Sequence, residues 1–181
     1  EYKAVSPLGT APCITDGEIT LSETNAIMDY ILDTHDDGRL RPAPGTPNRA
    51  DYLFWFHVSQ GSLQPLLTNK FVMMAMTARA PFFLKPAAKM LVGGLDKAFF
   101  GPRLKALMTE IEKALGKSTW FAGDNLTAAD IVMGYSMELA AHRAGMDAGN
   151  YPNAHRFLQQ MRAYPSYQRA LEKDGKGTIL L

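Results

Sequence analysis

The first 35 residues carry a pattern of apolar and polar positions unlike that of the rest of the chain. Cys13-Ile14-Thr15 and Ile19-Thr20-Leu21 are short β-prone runs on either side of Asp16-Gly17-Glu18. Asp-Gly signals a hairpin because both turn residues must tolerate positive φ, so two antiparallel strands are expected. Ser22-Glu23-Thr24-Asn25 then brings capping side chains and an acid to a helix start, and Ile27, Met28, Ile31 and Leu32 recur at three- and four-residue spacing. The spacing predicts a helix from about Glu23 to Asp33. A hairpin and one helix have too little surface for an independent sheet domain, so this unit needs a neighbour.

Three prolines, two glycines and two aspartates between Asp36 and Pro47 read as an exposed linker and a domain boundary. From Asn48 the period is helical. Tyr52, Trp55, Phe56, Ser59 and Leu63 share one face, and Gly61 and Pro65 should weaken or bend the run that continues to Arg79. Pro81, Pro86, Gly93 and Gly94 punctuate the next stretch. Leu104, Leu107, Met108, Ile111 and Leu115 then mark an amphipathic helix closed by Gly116. Thr127 with Asp130 three residues on forms a variant capping box, and Leu126 with Ile131 a hydrophobic staple. The helix that follows, with Ile131, Met133, Tyr135, Met137, Leu139 and Ala140, is apolar nearly all round and belongs in a core. Two shorter helices, near Asn153–Ala163 and Pro165–Lys173, end the pattern.

Composition narrows the class. The 181 residues are 46% hydrophobic and 20% charged, a globular balance that excludes disordered and collagen-like architectures. With 19 Lys and Arg against 18 Asp and Glu the net charge is +1, and the basic residues read as scattered, so neither a nucleic-acid nor a membrane partner is expected. The longest apolar stretches, such as Phe71–Met76 and Pro81–Leu84, fall well short of the roughly 20 residues a span needs. The single cysteine, Cys13, favours a reducing compartment and a cytoplasmic location. His35, His57, His142 and His155 show no metal-ligand spacing, so no metal is expected.

The motifs in order carry a resemblance. Ser6-Pro7-Leu8-Gly9-Thr10-Ala11-Pro12-Cys13-Ile14, then Asp16-Gly17, then Leu21-Ser22-Glu23-Thr24-Asn25-Ala26-Ile27 resemble the glutathione-binding half of the glutathione transferase N-terminal domain. The stretch from Trp120 to Ile131 is similar to the capping-box signature of that family's helical domain. Gly61-Ser62-Leu63-Gln64-Pro65, Pro81-Phe82-Phe83 and Tyr167-Gln168-Arg169-Ala170 resemble elements of a microbial branch. The implied fold class is α+β: the C-terminal half of a thioredoxin-like glutathione-binding domain over residues 1–36, a linker over 37–47 and an all-helical domain over 48–181.

The resemblance also implies roles. Ala11 and Pro12 take the place of the Val-Pro pair whose cis bond presents the preceding backbone to the cysteinyl part of glutathione; in isolation the dipeptide reads as a proline ending a loop. Glu23 and Thr24 would hold the γ-glutamyl end, Thr24 with N–H groups and hydroxyl for the α-carboxylate and Glu23 as acceptor for the α-ammonium, although helix capping alone explains the same two residues. Thr10 stands where many relatives place a cation. Phe56, His57, Gln60 and Ser62, with Gln64, mark the helix expected to face the ligand. Trp55, Phe56 and Phe71–Met76 could supply apolar walls for an electrophile or simply core, and core is the reading for most of them. Thr127 and Asp130 are assigned a structural cap, and Cys13 the role of a buried small hydrophobe.

In the family the catalytic Tyr, Ser or Cys lies in a β-α-β unit before the residues matching Ser6-Pro7, and such a unit takes about 30 residues or more. Neither Tyr2 nor Ser6 is assigned that role, so the catalytic residue is unknown and a preceding segment is expected. The implied activity is conjugation of the glutathione thiolate, as co-substrate, to hydrophobic electrophiles in detoxification, by a homodimer contacting through the helix at Ile27–Leu32 and the one starting near Asn48. A non-catalytic ligand-binding or interaction protein, or a glutathione-dependent peroxidase or thiol reductase, would use the same visible residues.

Overall fold

The computed structural model describes Val5, Ser6, Gly9 and residues 11–174. Thr10 and Tyr2 lie outside the described residues. Strands β1 (Cys13–Asp16) and β2 (Ile19–Ser22) pair antiparallel, Cys13 opposite Ser22 and Asp16 opposite Ile19. That register makes the loop Gly17-Glu18, and of these two only Gly17 has positive φ, at 58°. The turn therefore needs glycine at its first position alone, where the Asp-Gly reading asked for two such residues. Helix α1 (Thr24–Thr34) follows and buries Ile27 and Leu32. Its far end returns to the hairpin: the Tyr30 hydroxyl donates to Asp16 Oδ2 at 2.9 Å, with His35 Nε2 3.0 Å from the same oxygen. The His35 contact first and the Tyr30 bond second hold the Asp16 carboxyl below its ordinary value.

Residues 36–48 form no helix or strand, but they are a pinned strap rather than a loose linker. Arg41 donates to Asp29 Oδ1 at 2.6 Å and pairs with Asp33, both on α1. The Leu40 carbonyl accepts from Ala128 N–H at 2.8 Å, and Asn48 Nδ2 donates to the Ala122 carbonyl at 3.0 Å.

The helical part comprises α2 (Arg49–Val58), α3 (Gln64–Arg79), α4 (Lys85–Leu95), α5 (Gly101–Lys117), α6 (Ala128–Arg143), α7 (Pro152–Arg162) and α8 (Pro165–Asp174). A π-helical turn, Ser59–Leu63, joins α2 to α3 at the point where Gly61 and Pro65 weaken the run. A second, Asp96–Phe100, joins α4 to α5. Gly93 and Gly94 therefore do not break the chain, because the helix continues through them. Trp55, Phe56, Met108, Ile111, Met133, Met137 and Phe157 lie in one core. The Phe71–Met76 run departs from its expected place: Met73 is buried, whereas Phe71, Val72, Met74 and Met76 are exposed.

Polar groups lock the helices pairwise. Glu112 of α5 accepts from the backbone N–H groups of Asn153 and Ala154, each at 2.9 Å, neutralising the start of α7. Arg156 of α7 donates to the Leu115 and Ser118 carbonyls at the end of α5, at 2.8 and 3.2 Å. The buried Glu138 of α6 accepts from Arg162 at 2.8 and 2.6 Å and from the Tyr167 hydroxyl at 2.8 Å. Burial raises the Glu138 carboxyl, and the Arg162 and Tyr167 bonds together overcome it, leaving the group lowered; Tyr167 is itself pushed up to about 12 by burial and by Glu138. A lowered native carboxyl binds fewer protons than the unfolded chain, so this pair stabilises the fold above the ordinary value of 4.5 and the contribution disappears as the pH falls through the native value. Glu138→Gln should cost about 2–3 kcal/mol at neutral pH, below the full penalty for breaking a buried pair because Arg162 is partly solvated. Urea unfolding at pH 7 and pH 4 reads both effects, and the loss should be smaller at the lower pH.

Candidate functional site

A cavity of about 430 Å³ lies between the hairpin unit and the helical part, lined by Ala11, Pro12, Thr24, Met28, Gln60, Gln64, Ile131, Val132 and Tyr135. It brings together four residues singled out from sequence, Ala11, Pro12, Thr24 and Gln60, with Gln64. The Ala11–Pro12 peptide bond is cis. Ala11 and Pro12 are exposed and line this cleft.

Glu23 immediately precedes α1 and is exposed, with φ 78° and ψ 121°. It is the one non-glycine residue with positive φ among those described, and a conformation of this kind costs on the order of 1–3 kcal/mol. Helix α1 has no side-chain cap hydrogen bond and no acid within its first turn, so Glu23 just before it is the acid beside its positive end. Asn25 does not cap, contrary to the sequence reading: its Nδ2 donates to the Phe56 carbonyl at 3.0 Å and ties α1 to the end of α2. Among the described residues, Ser22 Oγ and Asn25 Oδ1, on either side of Glu23 and Thr24, are buried and have no hydrogen-bond partner.

Four expected site residues do not line the cavity: Glu23, which adjoins the lining residue Thr24, and Phe56, His57 and Ser62. Phe56 is buried beneath the strap-side core, stacked on Tyr52 with ring centroids 5.5 Å apart. The reason is phase: Tyr52 and Phe56 are four apart on the core stripe of α2. His57 is exposed, its ring edge-on to Phe56 at 5.4 Å. Ser62 is exposed within the π-helical turn. Cys13 is half-buried rather than buried, with Sγ 3.8 Å from the Val5 carbonyl oxygen.

Helix α6 supplies the opposite wall. Ile131 and Tyr135 are exposed there, 36% and 47%, where an all-round apolar pattern had placed them in the core. They stand four residues apart and so share the outer side of an otherwise buried helix; that spacing is the one trace of this wall in the sequence. Gln64 is fixed across the cleft by accepting from Ser136 Oγ at 2.9 Å. Beneath, Asp130 accepts from Phe121 N–H, Thr127 N–H and the Thr127 hydroxyl, each at 2.8 Å. Asp130 and Thr127 thus cap α6 and set its position, while taking no part in the cavity. Burial pushes the Asp130 carboxyl up against those three bonds. Among the described residues no group of three His, Cys, Asp or Glu side chains could hold a metal ion, and no helix is long and apolar enough to cross a membrane.

A two-stranded sheet and helix set against a helical domain, with a cleft between them, match the two-part arrangement that the sequence resemblance implies. The family profile described as "Glutathione S-transferase, C-terminal domain" matches residues 76–174. Glutathione S-transferase 3 of Schizosaccharomyces pombe is 25% identical over 180 residues, covering 99% of this chain and 74% of that protein. The crystal structure of a glutathione S-transferase from Actinobacillus pleuropneumoniae is 27% identical, with TM-score 0.71 over 98% of this chain and 75% of that one. A sphingomonad glutathione S-transferase complexed with glutathione shares the fold, at 24% identity and TM-score 0.69 over 97% of this chain and 79% of that one. The chain belongs to the glutathione S-transferase family.

Proposed function

We propose that this transferase holds glutathione with its γ-glutamyl end at Glu23 and Thr24 and its cysteinyl main chain along Ala11, and conjugates the thiolate to an apolar electrophile seated against Ile131 and Tyr135. The observation that carries the reading is the shared cavity of Ala11, Pro12 and Thr24 with α6 and the Gln60–Gln64 turn. In the reaction the thiol gives its proton to solvent water, the sulfur lone pair forms a C–S bond to the electrophilic carbon, and the leaving group departs from that carbon with its electron pair. The chain's own residues contribute by fixing glutathione and presenting an apolar wall, so that attack becomes effectively intramolecular. Val132, Met28 and Ile131 give one side of the cleft an apolar lining.

We infer that residues 1–36 form the glutathione-facing unit, 37–47 the strap and 48–181 the helical unit. A cytoplasmic homodimer acting in detoxification fits the same reading, with the exposed Ile31 on α1 and Leu53 and Phe54 on α2 as its contact. The test is turnover of an aryl halide with glutathione by the intact protein. Tyr135→Ala should lower kcat/KM for the halide about tenfold, the value of one lost apolar wall, and leave glutathione affinity unchanged. Glutathione binding without turnover would overturn the transferase assignment of this cleft.

A further inference from the structure

The net charge of +1 conceals a segregation. Residues 70–105 contain seven Lys and Arg and one Asp, a net of +6, so the remainder of the chain carries −5. The single acid, Asp96, is already paired with Lys70 at 3.0 Å. Arg79, Lys85, Lys89 and Lys97 are exposed and have no ion-pair partner among the described residues. The expectation of scattered basic residues is corrected by this count.

The same segment exposes its apolar side chains. Phe82 and Phe83, at the turn between α3 and α4, are 85% and 66% exposed, and Met90 and Leu91 on α4 are 71% and 69% exposed. Neither α4 nor the π-helical turn after it contains a buried residue. Phe82 and Phe83 pack edge to face against each other, 5.5 Å apart. An exposed apolar patch of this kind marks an interaction surface. It lies outside the glutathione cleft, with which it shares no lining residue.

We propose that this turn and α4 dock peripherally on an anionic lipid surface, with Phe82, Phe83, Met90 and Leu91 entering the interface and Arg79, Lys85, Lys89 and Lys97 meeting the headgroups. Aromatic and aliphatic side chains flanked by lysine and arginine are the chemistry of interfacial helices. Charge decides against a second copy as the occupant. A two-fold contact would set +6 against +6, and a head-to-tail contact onto the acidic remainder would build a ring or filament rather than the two-fold dimer proposed above. This proposal revises the expectation of no membrane partner as far as surface binding is concerned.

The experiment is co-sedimentation of the full chain with vesicles of phosphatidylserine and phosphatidylcholine, compared with phosphatidylcholine alone, at low and physiological salt. The expected result is binding to the phosphatidylserine vesicles that weakens with salt. With about fivefold lost per cation removed, Lys85→Gln with Lys89→Gln should weaken it roughly 25-fold. Phe82→Ser with Phe83→Ser should abolish sedimentation, and both double variants should retain wild-type glutathione affinity as evidence of folding. Failure to sediment with phosphatidylserine vesicles, or equal binding to phosphatidylcholine alone, overturns the proposal. So does a Phe82→Ser, Phe83→Ser variant that dissociates an oligomer and leaves vesicle binding intact.

Discussion

Replacing Asp130 by alanine is expected to lower the unfolding free energy by about 3–5 kcal/mol, a large share of what a domain of this size possesses. The carboxylate accepts from two backbone N–H groups and one hydroxyl, all at 2.8 Å, inside the protein. Alanine would leave those donors without partners, each at a cost of about 1–3 kcal/mol before relaxation. The effect should reach the cleft, because α6 carries Ile131 and Tyr135 directly after this cap. Urea unfolding measures the loss, and a change below about 1 kcal/mol would remove Asp130 from its structural role.

The pH dependence has a definite sign. Burial raises the native Asp130 carboxyl above its ordinary value of 3.8. Between that value and the raised one the folded state binds more protons than the unfolded, so this residue's contribution falls as the pH rises across the window. Glu138, which is lowered, contributes in the opposite sense. Removing Glu138 should therefore make the acid limb flatter, and Asp130→Asn should make it steeper.

The second large effect is expected at Glu23. Glu23→Gly should weaken glutathione binding about ten- to a hundredfold, the value of a hydrogen bond to a charged group. It should leave stability unchanged or raise it by about 1 kcal/mol, since glycine accepts the φ of 78° without strain. The two readouts separate the roles. A residue that only capped the helix would lose stability on replacement and leave affinity alone, whereas a residue held in a costly conformation for its ligand gives the reverse. Calorimetric titration with glutathione, alongside thermal unfolding of the same samples, distinguishes them.

The parts of this molecule legible in the sequence are those encoded within a few residues. The hairpin before α1, the Thr127–Asp130 cap and the apolar stripes of α2 and α5 all follow from spacing. The weak point at Gly61 and Pro65 was also readable, although its outcome as a π-helical turn was not, since local composition does not choose between a kink and an inserted residue. The far wall of the cleft was hidden for a different reason. Ile131 and Tyr135 are apolar in a helix that is apolar almost everywhere, and only packing against the hairpin unit distinguishes the side left open. Phe56 shows the converse, an aromatic near the cleft in sequence that the phase of α2 turns into the core. The Phe71–Met76 run misled because an apolar run does not say how many sides of its helix are covered: Met73 is buried, and Phe71, Val72, Met74 and Met76 are exposed.

The central claim is that glutathione lies across Ala11, Glu23 and Thr24 in the cleft walled by α6. Crystals of the protein grown with saturating glutathione test it most directly. The account predicts the γ-glutamyl α-carboxylate at the start of α1, its ammonium group against Glu23 and the cysteinyl main chain paired with Ala11. Glutathione bound away from these residues, or no bound glutathione at saturation, would contradict it.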